Sequence, residues 1–208
     1  MSKKTKGPFV TLNIAVLTVS DTRTRENDTS GDVIQERLET AGHKVVSRVI
    51  LQDDVEKLRG QLRAWMADKN VDAVISTGGT GLTKRDVTPE AFEPLFTKAI
   101  PGFGELFRWL SYEEIGTSTI ESRALAGVAG DTLVFCLPGS TGACRTGLDK
   151  IILPQLNSTT GPCNLTEMLP RIRHDPAPDD LRWVSLVMRR GIVADARQHL
   201  GEVARSGG

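Results

Sequence analysis

Four short runs of the chain are rich in valine, isoleucine and leucine: residues 12–20, 43–51, 71–76 and 131–137. Runs this apolar, with little polar alternation, suit strands covered on both faces, as in a parallel sheet. The stretches between and after them keep helical spacing instead. Val33, Ile34, Leu38 and Ala41 recur on one side, then Leu58, Leu62, Trp65 and Met66, then Phe103, Leu106, Phe107 and Leu110, then Leu148, Ile151, Ile152 and Leu156. Strands alternating with helices predict βαβ units joined by right-handed crossovers. The expected fold is α/β: a three-layer α/β/α sandwich with a mostly parallel, doubly wound central sheet.

Helix ends are written in the usual residues. Ser30 is placed to cap the first helix and Gly42 to close it. Asp53 with Glu56 reads as an acidic capping pair for the second helix. Thr88-Pro89-Glu90 reads as N-cap, first-position proline and first-turn acid. Ser140 reads as the cap of the helix that follows Pro138-Gly139.

Composition sets the limits. The 208 residues suit one domain with a short appendage, and a core of that size needs no disulfide frame. We divide the chain into a flexible lead at 1–9, a domain at 10–170 and an appendage at 171–208, the last with seven Arg against five Asp and Glu. Lys+Arg and Asp+Glu are equal at 26 each, which argues against a partner bound through a nucleic-acid backbone. No apolar run approaches the ~20 residues of a membrane helix, so no membrane role is expected. The lysines at 3, 4 and 6 precede a strand-like run rather than a signal sequence. Cys136, Cys144 and Cys163 are odd in number and far apart, and read as buried or half-buried reduced thiols. Together these features point to the cytoplasm.

Ligands in doubly wound folds sit beyond the carboxyl ends of the strands. Three loops fall there: Ser20-Asp21, Thr77 to Thr88, and Pro138 to Gly142. In Gly78-Gly79-Thr80-Gly81, residues without Cβ let backbone N–H groups converge on an anion, although neither the P-loop nor the dinucleotide spacing is present. Asp86 reads equally well as a solvated turn residue and as a carboxylate that bridges through Mg²⁺ to phosphate held by that loop. Ser20, Asp21 and Ser140 are placed to touch a ligand. Arg145, in the first turn of its helix, opposes the dipole and so invites an anionic partner.

Four stretches carry a resemblance: Thr18-Val19-Ser20-Asp21-Thr22-Arg23, Ser76 to Gly81, Arg85-Asp86-Val87-Thr88-Pro89-Glu90, and Leu137-Pro138-Gly139-Ser140. Over roughly residues 10–170 the chain resembles the MoaB/Mog family of molybdenum-cofactor biosynthesis. Leu110 to Thr119 and Pro138 to Arg145 look like its protein B branch. The resemblance implies binding of molybdopterin and Mg-ATP, transfer of AMP to the pterin's terminal phosphate, and assembly as a homotrimer or a hexamer of paired trimers. It assigns two important carboxylates to Asp53 and Asp86, as catalytic and Mg²⁺-holding groups. Gly78, Gly79, Thr80 and Gly81 are then expected at the phosphates. Ser20, Asp21, Thr88, Glu90, Pro138, Gly139 and Ser140 are expected around substrate. The sequence departs from the family in having Gln52 before Asp53, where proline is common, which leaves open whether Asp53 or Asp54 is the second acid. The rival expectation is a non-catalytic molybdopterin-binding or assembly protein.

Overall fold

The computed structural model describes residues 7–174. Its central strand, β1 (Asn13–Val19), is buried along six of its seven residues. It pairs in parallel with β2 (Lys44–Leu51) on one side and β3 (Ala73–Thr77) on the other. β3 continues in parallel to β6 (Thr132–Leu137). The sheet then reverses, because β5 (Leu125–Ala129) lies antiparallel to β6, and the two-residue β4 (Lys98–Ala99) lies antiparallel to β5. The strand order is β2-β1-β3-β6-β5-β4, the mostly parallel, doubly wound sheet expected.

Side chains alternate across β1 and so divide the core in two. Ile14 and Val16 face α1 (Thr29–Thr40), α4 (Pro101–Ile115), α5 (Thr141–Gly147) and α6 (Leu165–His174), whose Ile34, Leu38, Phe103, Phe107, Cys144 and Leu169 share that core. Ala15, Leu17 and Val19 face α2 (Val55–Ala67) and α3 (Thr88–Phe92), through Leu58, Leu62, Trp65 and Phe92. These are the three layers.

Three caps differ from expectation. Asp28, not Ser30, caps α1, accepting from the Gly31 amide at 3.0 Å. With Asp28 as the cap two residues earlier, the Ser30 hydroxyl is free to donate to the Gly139 carbonyl at 2.8 Å. Asp54, not Asp53, caps α2, accepting from the Lys57 amide at 2.9 Å. α3 has no side-chain cap, since the buried Thr88 hydroxyl donates to the Gly78 carbonyl at 2.9 Å. Ser140 caps α5 as expected, accepting from the Ala143 amide at 3.2 Å.

Two further expectations are corrected. Pro8 and Phe9, read as part of a flexible lead, are fastened. Ser158 Oγ accepts from the Val10 amide and donates to the Pro8 carbonyl, and the Phe9 ring lies 5.2 Å from His43. Cys163 is exposed, whereas Cys136 and Cys144 are buried. Residues 1–6 of the lead, and 175–208 of the appendage, lie outside the described residues. No helix among the described residues is long and apolar enough to cross a membrane.

Candidate functional site

The carboxyl ends of β1, β2, β3 and β6 open on one cavity of about 580 Å³. Strand register brings their loops together. Thr18 pairs with Thr77, Thr77 with Leu137, and Val19 with Leu51, so the chain leaves all four strands at one edge. The glycine loop follows β3. Gly78 has φ +99°, and a Cβ there would stand 2.2 Å from the Val19 carbonyl oxygen, so only glycine fits. Gly79 has φ +64° and lies against Asp53: a Cβ on Gly79 would be 2.8 Å from Asp53 Oδ1. A Cβ on Gly81 would be 2.9 Å from Asp86 Oδ2. Both expected carboxylates therefore flank the loop.

The four amides of that loop differ in what they can do. The Gly78 N–H donates to the Leu137 carbonyl at 3.0 Å, and the Gly81 N–H to the Asp86 carboxylate. Among the described residues, the Gly79 and Thr80 N–H groups have no protein acceptor. The expectation of four phosphate-binding amides is thus reduced to two, because closing the turn and orienting the acid each occupy one.

The pKa values of the two acids are shifted in opposite directions. Burial acts to raise the Asp86 pKa, but hydrogen bonds from the Thr83 hydroxyl at 2.6 Å and the Thr83 amide at 2.9 Å, with the Gly81 amide and nearby Arg123, hold it below the ordinary carboxylate value. Asp53 is pushed the other way, by burial first and then by the charges of Asp21 and Asp86, only partly offset by Arg85. Its own backbone amide adds a smaller opposing contribution.

Asp21 receives a two-pronged ion pair from Arg85, with Nε at 2.9 Å and Nη2 at 2.6 Å, which ties the loop after β1 to the loop after β3. Ser20 Oγ accepts from the Thr22 and Arg23 amides at 3.2 Å each and turns the chain into that loop. Pro138, Gly139 and Ser140 form the opposite lip. Gly139 lies beside the glycine loop: a Cβ there would be 3.4 Å from Gly78 Cα, in ordinary contact.

Two expected ligands lie elsewhere. Thr88 is buried behind Gly78, and Glu90 pairs with Arg123 on the outer side of the loop; neither lines the cavity. The sequence reading missed the far wall, built by Phe107, Ser111, Glu114 and Ile115 of α4 and by Ser118 and Thr119 beyond it. The only signal was the Leu110 to Thr119 stretch, which carried resemblance but no chemistry of its own. Arg145 is exposed and has no ion-pair partner among the described residues. Cys136 is a buried core residue, and burial pushes its thiol up to about 12.

The cavity is lined by five carboxylates (Asp21, Asp53, Asp86, Glu114 and Glu121) and one basic side chain, Arg85. Among the described residues, no three His, Cys, Asp or Glu side chains form a metal-holding group by themselves.

These features define a doubly wound α/β protein with a ligand-sized cavity at its strand ends. The sequence matches the family described as "Probable molybdopterin binding domain" over residues 15–158. It is 53% identical over 156 residues to molybdenum cofactor biosynthesis protein B of Escherichia coli K12, covering 75% of this chain and 92% of that one. A crystal structure of a molybdenum cofactor biosynthesis protein B superposes with a TM-score of 0.72 at 43% identity, over 80% of this chain and 98% of the other. The tungsten cofactor synthesizing protein MoaB from Pyrococcus furiosus gives 0.65 at 36% identity, over 79% and 98%. The chain belongs to the MoaB/Mog molybdopterin-binding family of molybdenum-cofactor biosynthesis.

Proposed function

We propose that this chain adenylylates molybdopterin with Mg-ATP and releases pyrophosphate. The observation that carries the reading is the charge of the cavity: two free amides wait for an anion inside a ring of five carboxylates and one guanidinium. A phosphate would be repelled there unless a cation came with it. Mg²⁺ uses one or two protein carboxylates and completes its shell with phosphate oxygens and water, which suits a site with no three-ligand cluster among the described residues.

Asp53 and Asp86 are the residues that would hold the ion. When bound, Mg²⁺ supplies compensation for charge building up on the leaving pyrophosphate. The chain's own part is placement. The Gly79 and Thr80 amides hold nucleotide phosphate, Arg85 meets phosphate charge at the mouth, and the wall from α4 seats the pterin opposite Pro138-Gly139-Ser140. A terminal phosphate oxygen of the pterin attacks the α-phosphorus of ATP, and the α–β bridging oxygen departs with pyrophosphate. The attacking phosphate oxygen is already ionised, so the protein needs no general base; orientation and charge compensation carry the rate.

The same reading has the chain act in the cytoplasm and assemble as a homotrimer or paired trimers. Support for assembly comes from Trp109, Tyr112 and Ile115 at three-residue spacing on α4 and Ile120 just beyond, exposed by 55–78%.

Incubating protein, molybdopterin and Mg-ATP tests the chemistry. AMP-pterin and pyrophosphate should accumulate, and Asp86→Asn should lower the rate by about 10²- to 10³-fold without unfolding the chain. Pyrophosphate release at the wild-type rate from Asp86→Asn would reject the assignment. Binding of the pterin with no AMP transfer by the wild type would reject the enzyme.

A further inference from the structure

Asp86 lies on an exposed loop, where a carboxylate would not keep one position by itself. Thr83 holds the carboxylate locally, and the backbone that carries both residues is held from a distant part of the sequence. The Arg123 guanidinium donates from Nε to the Gly81 carbonyl at 2.8 Å and from Nη2 to the Asp86 carbonyl at 2.7 Å, while Nη1 pairs with Glu90. Its backbone amide adds a bond to the Thr80 carbonyl at 3.0 Å. Both ends of the 81–86 loop, and the start of α3, are therefore held by one side chain. The fork lies in a recess behind the loop, beside Glu90 and Ser122, and does not line the main cavity.

The topology explains how it gets there. β5 runs antiparallel to β6, with Leu125 opposite Cys136, so the incoming end of β5 lies at the same edge as the outgoing ends of the parallel strands. Arg123 enters the sheet two residues before Leu125. In an all-parallel sheet it would enter at the opposite edge.

From this geometry we infer that Arg123 is a positioning residue for the reaction: its three-pronged grip sets the backbone of residues 81–86 and so the place of the Asp86 carboxylate beside the glycine loop. The inference rests on the reading of Asp86 given above, but its structural half can be tested without catalysis. Lysine keeps the charge and loses the fork, so charge and geometry are separable.

The experiment compares wild type, Arg123→Lys and Arg123→Met by amide hydrogen exchange without ligands, by thermal unfolding, and by adenylylation kinetics. In both variants the amides of 83–88 should exchange about tenfold faster or more, while those of β1 and β3 keep wild-type protection. The kcat should fall by roughly 30-fold, with KM for ATP within about threefold and a higher Mg²⁺ requirement. Lysine should rescue neither loop exchange nor kcat. Wild-type exchange at 83–88 in Arg123→Met would overturn the inference, as would wild-type kcat and Mg²⁺ dependence in an active enzyme, or full rescue by lysine. If the wild type transfers no AMP while Arg123→Met still loosens 83–88, the enzyme reading fails and the loop-positioning role stands.

Discussion

At the scale of single residues, the site keeps one carboxylate comfortable and its neighbour uncomfortable. Asp53 is raised by burial and by Asp21 and Asp86, so the folded chain holds that proton more tightly than the unfolded chain does. As pH rises above the ordinary carboxylate value of 3.8, ionising Asp53 removes stability, and at neutral pH the whole penalty is present. Asp53→Asn should therefore stabilise the empty protein, by about 0.5 kcal/mol in urea unfolding at pH 7 after allowing for exposure, while abolishing AMP transfer. The gain should shrink as pH is lowered toward the ordinary carboxylate range. A variant less stable than wild type at pH 7 would contradict this account. Sequence alone could not separate Asp53 from Asp54: two adjacent acids before a helix offer one cap between them, and only the backbone decides which side chain turns inward. Resemblance singled out Asp53, and the structure gives that assignment a physical meaning by handing the cap to Asp54.

At the scale of elements, β1, β3 and β6 were legible because each is a continuous apolar run, and α1, α2 and α4 because their apolar residues keep helical spacing. β5 was not. Its sequence, Leu-Ala-Gly-Val-Ala, has little β-propensity, and Gly127 is there to admit the Phe96 ring, which would meet a Cβ at 2.3 Å. A tertiary contact chose that residue, so no local pattern announces it. Arg123, just ahead of β5, was overlooked for the same reason. The caps were misplaced by one or two residues because serine, threonine and aspartate compete for the role. Asp54→Ala should cost about 1 kcal/mol in unfolding free energy through loss of the α2 cap, which Asp53→Ala should not. Equal losses from the two would return the cap to both.

At the scale of the whole molecule, the α/β/α layering followed from alternation alone, but the apolar surface of α4 did not. Trp109 and Tyr112 fit the helical period badly as core residues, and they are 67% and 57% exposed. Trp109→Glu should convert oligomers into monomers in sedimentation velocity while leaving the circular dichroism of the fold intact. A monomeric wild type would remove the assembly from the reading.

β6 and β5 are joined by a tight reversal at Gly130-Asp131, between Ala129 and Thr132, at the far end of the sheet from the cavity. That corner acts as a ruler. Adding one residue to it would slide β5 by about 3.3 Å and turn its side chains to the other face. The guanidinium that braces the acidic loop would be dragged off its perch by a change made almost the full length of a strand away.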